Sequence, residues 1–381
     1  MKLKNLLLIF LFNAIFTLSQ ISNFEEKFEL PVAVKETSGL LFLDAKVITH
    51  NDSGDSPNLY EIDSLSGKLI RTVSISNAKN VDWEDISEND THIFIADIGN
   101  NNGNRKNLKI YKILKSDFRN NLNVSAEIIS FSYEDQVDFS YKPYNSNFDA
   151  EAIVIYGNDI LVFTKNWADL QTNIYKIPLT TGNYIAKKIS SANIEGLITG
   201  AVYNDNRFIL TGYTTALIPF LIYVSPNRKP GNDIFFSSFN KISLENELGK
   251  GNQVEGITNI GFTGKYYLSR EKNISTISGT RVTHSQKLYK FHDTTHSLLS
   301  LEKNDIEFLK IIPNPIVDKI SFETNWCFSK IDVFNLTGKK VYSENLNHLK
   351  EIDISFLSKG IYYLKVQFEN SKTVVKKIIK L

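Results

Sequence analysis

Residues 150–177 read AEAIVIYGNDILVFTKNWADLQTNIYKI, and three features of this stretch decide the fold because they recur along the chain in the same order. The first is an acid ahead of an apolar stretch, Ala150-Glu151-Ala152-Ile153. The second is a short β-rich run, Leu161-Val162-Phe163-Thr164. The third is a tyrosine between apolar neighbours, Ile174-Tyr175-Lys176-Ile177. Alternation of apolar and polar residues, as in Tyr175/Ile177 around Lys176, with Asn, Asp and Gly clustered between the runs, predicts strands joined by turns.

The acid recurs in Glu36-Thr37-Ser38-Gly39-Leu40, Trp83-Glu84-Asp85-Ile86, Ile194-Glu195-Gly196-Leu197 and Val254-Glu255-Gly256-Ile257. The β-rich run recurs in Lys46-Val47-Ile48-Thr49, Ile93-Phe94-Ile95-Ala96, Phe208-Ile209-Leu210-Thr211 and Tyr266-Tyr267-Leu268-Ser269. The tyrosines are Tyr60, Tyr111, Tyr223 and Tyr289. A fourth β-like run follows in most units, at 68–76, 126–133, 184–190 and 234–244. Four strands per repeat is the signature of propeller blades, each a small sheet that buries both faces against its neighbours.

The reading is therefore all-β: a β-propeller followed by a small C-terminal β-sandwich. Five repeats predict five blades, and the long stretches between Glu84 and Glu151 and between Glu195 and Glu255 leave room for a sixth. The last unit lacks a fourth strand of its own, and residues 24–31 are placed to supply it and close the ring.

From Ile311 the texture changes. Ile311-Ile312-Pro313-Asn314-Pro315 opens a segment that continues through Asn335-Leu336-Thr337-Gly338-Lys339 and Lys359-Gly360-Ile361-Tyr362, and ends on Lys376-Lys377-Ile378-Ile379-Lys380-Leu381. These residues describe a small β-sandwich with turns at Pro-Asn-Pro and Thr-Gly-Lys. The set, with Pro313, Asn314, Pro315, Gly338, Gly360, Tyr362, Lys376 and Lys377 as landmarks, closely resembles the type A sorting domain of the type IX secretion system. The resemblance implies passage across the outer membrane, removal of the domain, and surface attachment or release, with the secretion machinery as partner.

The opening agrees with export. Met1-Lys2-Leu3-Lys4, an apolar run from Leu6 to Phe16 and Thr17-Leu18-Ser19-Gln20 read as a signal peptide over residues 1–19. The expected division is then 1–19 signal peptide, 20–305 propeller and 306–381 sorting domain. No later run is long and apolar enough to predict a transmembrane helix in the mature chain. With 43 basic and 42 acidic side chains, the chain offers no field for nucleic acid or anionic lipid. Cys327 is the sole cysteine, so no intramolecular disulfide forms, and its neighbours Trp326 and Phe328 suggest a buried hydrophobe.

In a propeller the start of the first strand and the end of the antiparallel second strand lie at the same end of the channel. Glu36, Glu84, Glu151, Glu195 and Glu255 are thus expected on one rim, with His50, Asp52, Asp55, Asp97, Asn101, Lys165, Arg270 and Glu271 following the second strands. Three readings of this rim compete. The glutamates accept backbone hydrogen bonds from neighbouring blades. Alternatively, Asp52, Asp55, Asp97 and Asn101 offer the hard oxygens that Ca²⁺ takes, although neither loop has EF-hand spacing. The third is catalysis, with Glu84, Glu151, His50, Lys165 and Arg270 as candidates for holding a phosphate ester beside a metal-bound water.

The Glu-Gly-Ile/Leu repeats and Asp-rich rim resemble, modestly, the phytase-like and esterase-like propellers, which implies metal-dependent hydrolysis. Residues 97–105, 133–151 and 163–167 also resemble a recurring uncharacterised family of secreted propellers. No Gly-x-Ser-x-Gly elbow and no phosphate loop occur, and His292 with His296 sits in a turn-like context unlike a zinc protease helix. Trp83 and Trp167 flank the rim, either as interblade packing or as a stacking face for a sugar. Because the five glutamates look equivalent, the function expected is a secreted or cell-surface ligand-binding or scaffold module with calcium at its rim. The alternative is a calcium-dependent phosphoesterase or esterase.

Overall fold

The structure is a computed structural model that describes residues 21–225, 239–261, 263–277, 279–294, 309–323, 328–345, 351–368 and 373–381. The segment read as a signal peptide, much of the run at 234–244, His296, Trp326 and Cys327 lie outside the described residues.

Among the described residues the first part of the chain forms five antiparallel blades. Blade one is Thr37–Leu43, Lys46–Asn51, Asn58–Asp63 and Leu69–Ile75, and blade two is Trp83–Glu88, His92–Asp97, Lys109–Leu114 and Glu127–Tyr133. Blade three is Ala150–Tyr156, Asp159–Thr164, Gln171–Pro178 and Gly182–Asn193, and blade four is Leu197–Asn204, Arg207–Tyr213, Pro219–Val224 and Asn240–Ser243. Blade five is Val254–Asn259, Lys265–Arg270 and Lys287–Asp293, completed by the N-terminal strand Ile21–Glu29. The outer strands of blades two and three pair in parallel, Ile129 opposite Gly182 through Tyr133 opposite Ala186, which fuses these blades into one eight-stranded sheet. A hairpin the repeats did not announce, Asn273–Ile277 with Thr280–His284, interrupts blade five.

The alternation has a direct cause in packing. Along the third strand of blade three, Tyr175 and Ile177 pack with Phe94, Ile110 and Phe131 of blade two, while Ile174 packs with Phe208 and Ile222 of blade four. Both faces of each sheet are therefore core, with polar residues left to turns and outer edges. The recurring tyrosines are buried, and four of them face the preceding blade. Tyr223 instead faces blade five, with Ile222 in its usual place, because a one-residue slip reverses the face.

The five first strands stand side by side around the channel, each touching the next in the order of blades one to five and back to one. Their close approach requires small residues. A Cβ on Gly256 would lie 2.6 Å from both Ser38 O and Leu40 Cβ of blade one. Gly256→Val is therefore expected to destabilise the propeller by about 1–3 kcal/mol, as overpacking does. Urea unfolding measures this, and an unchanged midpoint would contradict such tight packing.

The C-terminal part is a sandwich of a three-stranded sheet (Lys310–Ile312, Lys319–Glu323, Glu351–Asp353) and a four-stranded one (Lys340–Asn345, Phe328–Asn335, Gly360–Phe368, Thr373–Lys380). Ile320, Ile331, Val333, Leu364, Val366 and Ile378 fill its core. Asn314 ties the opening turn to the last strand, donating from Nδ2 to Lys377 O (3.0 Å) and accepting from Ile379 N (3.0 Å). Gly338 takes φ +80° in the Thr-Gly-Lys turn, and Tyr362 donates its hydroxyl to Ser358 O. Lys376 and Lys377 lie on the final strand.

Candidate functional site

Each first strand is interrupted by a β-bulge near its start, and the bulged residue is turned out of the sheet's alternation. The register breaks between Thr37 and Leu40, Trp83 and Asp85, Ala150 and Ala152, Ile198 and Gly200, and Val254 and Ile257. The equivalent bulge residues are therefore Ser38, Glu84, Glu151, Thr199 and Glu255. Only three of the five glutamates expected on the rim occupy this place. Glu36 precedes the strand and is half exposed beside Lys35, and Glu195 is exposed at φ +51°.

The hydroxyls in blades one and four tie blades together. Ser38 Oγ donates to Glu84 O (2.6 Å) and Thr199 Oγ1 to Val254 O (2.6 Å). Asp85 accepts Ile153 N of blade three (2.8 Å). At the bulges, Ser38, Thr199 and Asp85 thus make the bonds to neighbouring strands' backbones, while Glu84, Glu151 and Glu255 face a cavity of about 160 Å³ at the channel mouth. Asp52, Lys165, Glu271, Trp167, Tyr144 and Asn101 also line it. Further along the same strands lies a second space of about 80 Å³, lined by Leu40, Ile86, Val154 and Ile257 together with the polar Glu88 and Asn259.

On one side of the mouth, Asp52, Asp82 and Glu84 each bring a carboxylate oxygen within 4.8 Å of the others. Glu84 is 3% exposed, and its Oε1 has no hydrogen-bond partner among the described residues. Burial, reinforced by the charges of Asp52, Glu151 and Asp82, pushes Glu84 well above the usual carboxylate range. Burial and then Asp52 and Asp149 push Asp82 up to about 7, and burial also raises Asp52. Gly99 forms the back wall, where a Cβ would collide with Glu84 and lie 2.5 Å from Asp82 Oδ2.

On the other side, Lys165 Nζ is 2.5 Å from Glu151 Oε1, 5.0 Å from the Trp167 ring centre and 5.3 Å from that of Tyr213. Burial opposes its charge, yet Glu151, Tyr213 and Glu255 hold its pKa well above the ordinary lysine value. Burial and then the charge of Asp52 push Glu271 up to about 8.

Other expected site residues lie elsewhere. Asp55 accepts from Asn51 Nδ2 (2.6 Å) and Tyr60 OH (2.7 Å) within blade one. Asp97 accepts from Arg105 Nη2 (2.7 Å) and Asp82 N (3.2 Å), with its Oδ2 unpartnered among the described residues. Arg270 donates to Ser285 O and to Asn252 Oδ1 (2.5 Å), away from the cavity. His50 is fully buried edge-on against Trp83, and burial lowers its pKa to about 4, so it is neutral near pH 7. Trp83 is core, whereas Trp167 stands at the mouth.

Glu271, expected on the rim beside Arg270, does line the cavity. Asp82 belongs to the site and was not singled out from the sequence, because it precedes its strand. The alternation Asp82-Trp83-Glu84 was the available signal for it.

Residues 310–380 match the family model described as a secretion system C-terminal sorting domain. The protein is thus exported to the cell surface or exterior, and the type IX machinery is the partner that recognises this domain. No helix among the described residues is long and apolar enough to cross a membrane. No curated protein matches the chain. Among solved structures it is similar to an exo-β-1,3-galactanase of Phanerochaete chrysosporium (8% identity, 94% of this chain and 100% of that one, TM-score 0.44). It is also similar to a PQQ-bound aldose sugar dehydrogenase of Streptomyces coelicolor (10%, 71% and 97%, TM-score 0.38). A third likeness is hydrazine synthase of Kuenenia stuttgartiensis (8%, 70% and 65%, TM-score 0.36). At such scores and identities these likenesses carry no argument about activity.

Proposed function

We propose that this exported propeller is a ligand-binding module whose channel mouth holds a divalent cation, calcium by its donor set, on Asp52, Asp82 and Glu84. The observation that carries this reading is Glu84 Oε1, buried and unpartnered among the described residues, with two further carboxylates within reach. An unpaired buried carboxylate either costs on the order of several kcal/mol or takes up a proton, and a bound divalent ion relieves both. A set of carboxylate oxygens without imidazole or thiolate suits calcium rather than zinc.

The asymmetry of the bulge residues supports a ligand site over a uniform structural ring, since blades one and four carry hydroxyls where the others carry acids. Phosphate-ester hydrolysis is supported less well. Of the three basic residues that reading drew on, His50 is neutral, Arg270 is engaged elsewhere and Lys165 is paired with Glu151.

The raised carboxyl groups give a pH test. Asp82 at about 7 and Glu271 at about 8 in the folded protein compare with 3.8 and 4.5 for the free side chains. The folded state therefore keeps protons that the unfolded chain has released. Stability from these groups is fullest below about pH 4 and is lost as pH rises through the folded values. In chelator, the melting temperature is expected to fall towards pH 8. Calcium should reverse the fall, because it replaces the protons. At about a hundredfold excess over its dissociation constant the ion adds about 2.7 kcal/mol, or several degrees, with a smaller gain at about pH 5. A melting temperature indifferent to calcium near pH 8 would sink the reading.

A further inference from the structure

We infer that the ligand of this mouth is a neutral saccharide ring, seated with its C–H face on the exposed ring of Tyr144, beside Trp167, and its hydroxyls towards the carboxyl groups. The inference rests on the cation reading above and adds the class of molecule that the cation and its surroundings select.

Charge excludes the obvious alternative. Asp52, Glu84, Glu151, Glu255 and Glu271 line the cavity, and Lys165 is the basic residue that lines it with them. Beyond the ion on the Asp52 side, the described lining offers an anion no free cation, because Lys165 is already engaged by Glu151 and its other titratable neighbours there are carboxyl groups. A phosphate or carboxylate entering there leaves water without a compensating charge. Hydroxyl groups fare better, since a carboxyl group accepts from O–H donors when ionised and both donates and accepts when protonated. Calcium also retains coordination positions for oxygens beyond three carboxylates, and neighbouring sugar hydroxyls can fill them.

The aromatic wall supplies the second requirement. Trp167 and Tyr144 meet edge to face at 5.0 Å, and Tyr144 is 63% exposed. Neither depends on a loose loop. Trp167 donates Nε1–H to Asp149 Oδ2 (2.7 Å) and its backbone N–H to Ser146 O (3.0 Å). Residues 134–149 are fastened to the neighbouring turn by Tyr144 N to Asn101 O, Lys142 N to Asn102 O and Gln136 Nε2 to Gly103 O. Aromatic surface held in place in advance costs little to order when a ligand docks. A volume of about 160 Å³ is below the roughly 300–1,000 Å³ of drug-sized sites, which suits one ring or the terminal residue of a longer glycan.

The test titrates the full-length secreted protein with methyl glycosides of glucose, galactose, mannose and fucose, and separately with galacturonate, inorganic phosphate and choline. Binding is followed by calorimetry and tryptophan fluorescence, in calcium and in chelator. The expected result is binding of at least one neutral glycoside in calcium, loss of that binding in chelator, and none for galacturonate or phosphate. Tyr144→Ala, at an exposed position, should weaken the glycoside roughly two- to tenfold while leaving the calcium-induced rise in melting temperature intact. Calcium binding with no neutral glycoside bound, or with galacturonate, phosphate or choline preferred, overturns the saccharide inference and leaves the cation reading standing. A glycoside that binds equally well in chelator, and is weakened by Tyr144→Ala, supports the saccharide class and overturns the cation's part in it.

Discussion

Removal of residues 310–381 is expected to leave a folded propeller in the periplasm, with none reaching the surface or the medium. The sorting domain lies within that segment, so its loss removes what the type IX machinery recognises. The propeller does not need the segment to complete its sheets, because the ring closes on Ile21–Glu29. Nor does it need the segment for its core, since the sandwich cluster around Ile320, Val333 and Leu364 shares no residue with the clusters between blades. Fractionation with a thermal melt of the retained protein measures both halves of the expectation. Export of the truncated protein would contradict the role given to the tail.

Deleting Ile21–Glu29 behind an intact leader should have the opposite character, abolishing cooperative folding. This strand pairs with Lys287–Asp293, and next to it Leu30 N donates to Gln286 O (3.1 Å) while Gln286 Nε2 donates to Leu30 O (2.9 Å). Ile21 is buried in the core between blades four and five, and Phe24 stacks on Phe291 at 6.1 Å. Each fully buried apolar side chain of this size is worth roughly 1.5–3 kcal/mol. The loss of Ile21 in full and of the half-buried Phe24 in part, added to an exposed sheet edge and unpaired backbone groups, consumes much of the about 5–15 kcal/mol by which a domain is stable. Aggregation, or loss of a sigmoidal melt, is the expected observation. An unchanged melt would mean the ring closes without this strand.

The architecture was legible because it is repeated. Landmarks such as Ile174–Ile177 recur in blade after blade, and the N-terminal strand was inferred from the strand the last repeat lacked. The site was only partly legible, because sequence spacing does not reveal a bulge. Val254-Glu255-Gly256 and Ile194-Glu195-Gly196 look alike as text, yet Glu255 sits in the bulge of blade five while in blade four that place belongs to Thr199. Tyr223 misleads in the same way, one residue out of step with its counterparts. Short side chains at the bulges of blades one and four were invisible to a search for acids, although Ser38 and Thr199 perform the interblade bonding first assigned to glutamate. Asp82 was passed over because it lies before the strand, and chain curvature rather than spacing brings it beside Asp52.

Calorimetric titration of the full-length protein with calcium, in parallel with Asp82→Asn and Asp55→Asn, tests the central claim most directly. Asp82 is one of three converging carboxylates, whereas Asp55 is held by Asn51 and Tyr60 inside blade one. Both substitutions replace a carboxyl group by an amide of the same shape, so a non-specific effect of that change would treat them alike. The account predicts one calcium per chain in the parent and in Asp55→Asn, and at least a tenfold loss of affinity, about 1.4 kcal/mol, in Asp82→Asn. Absence of calcium binding in the parent, or equal affinity in Asp82→Asn, would contradict it.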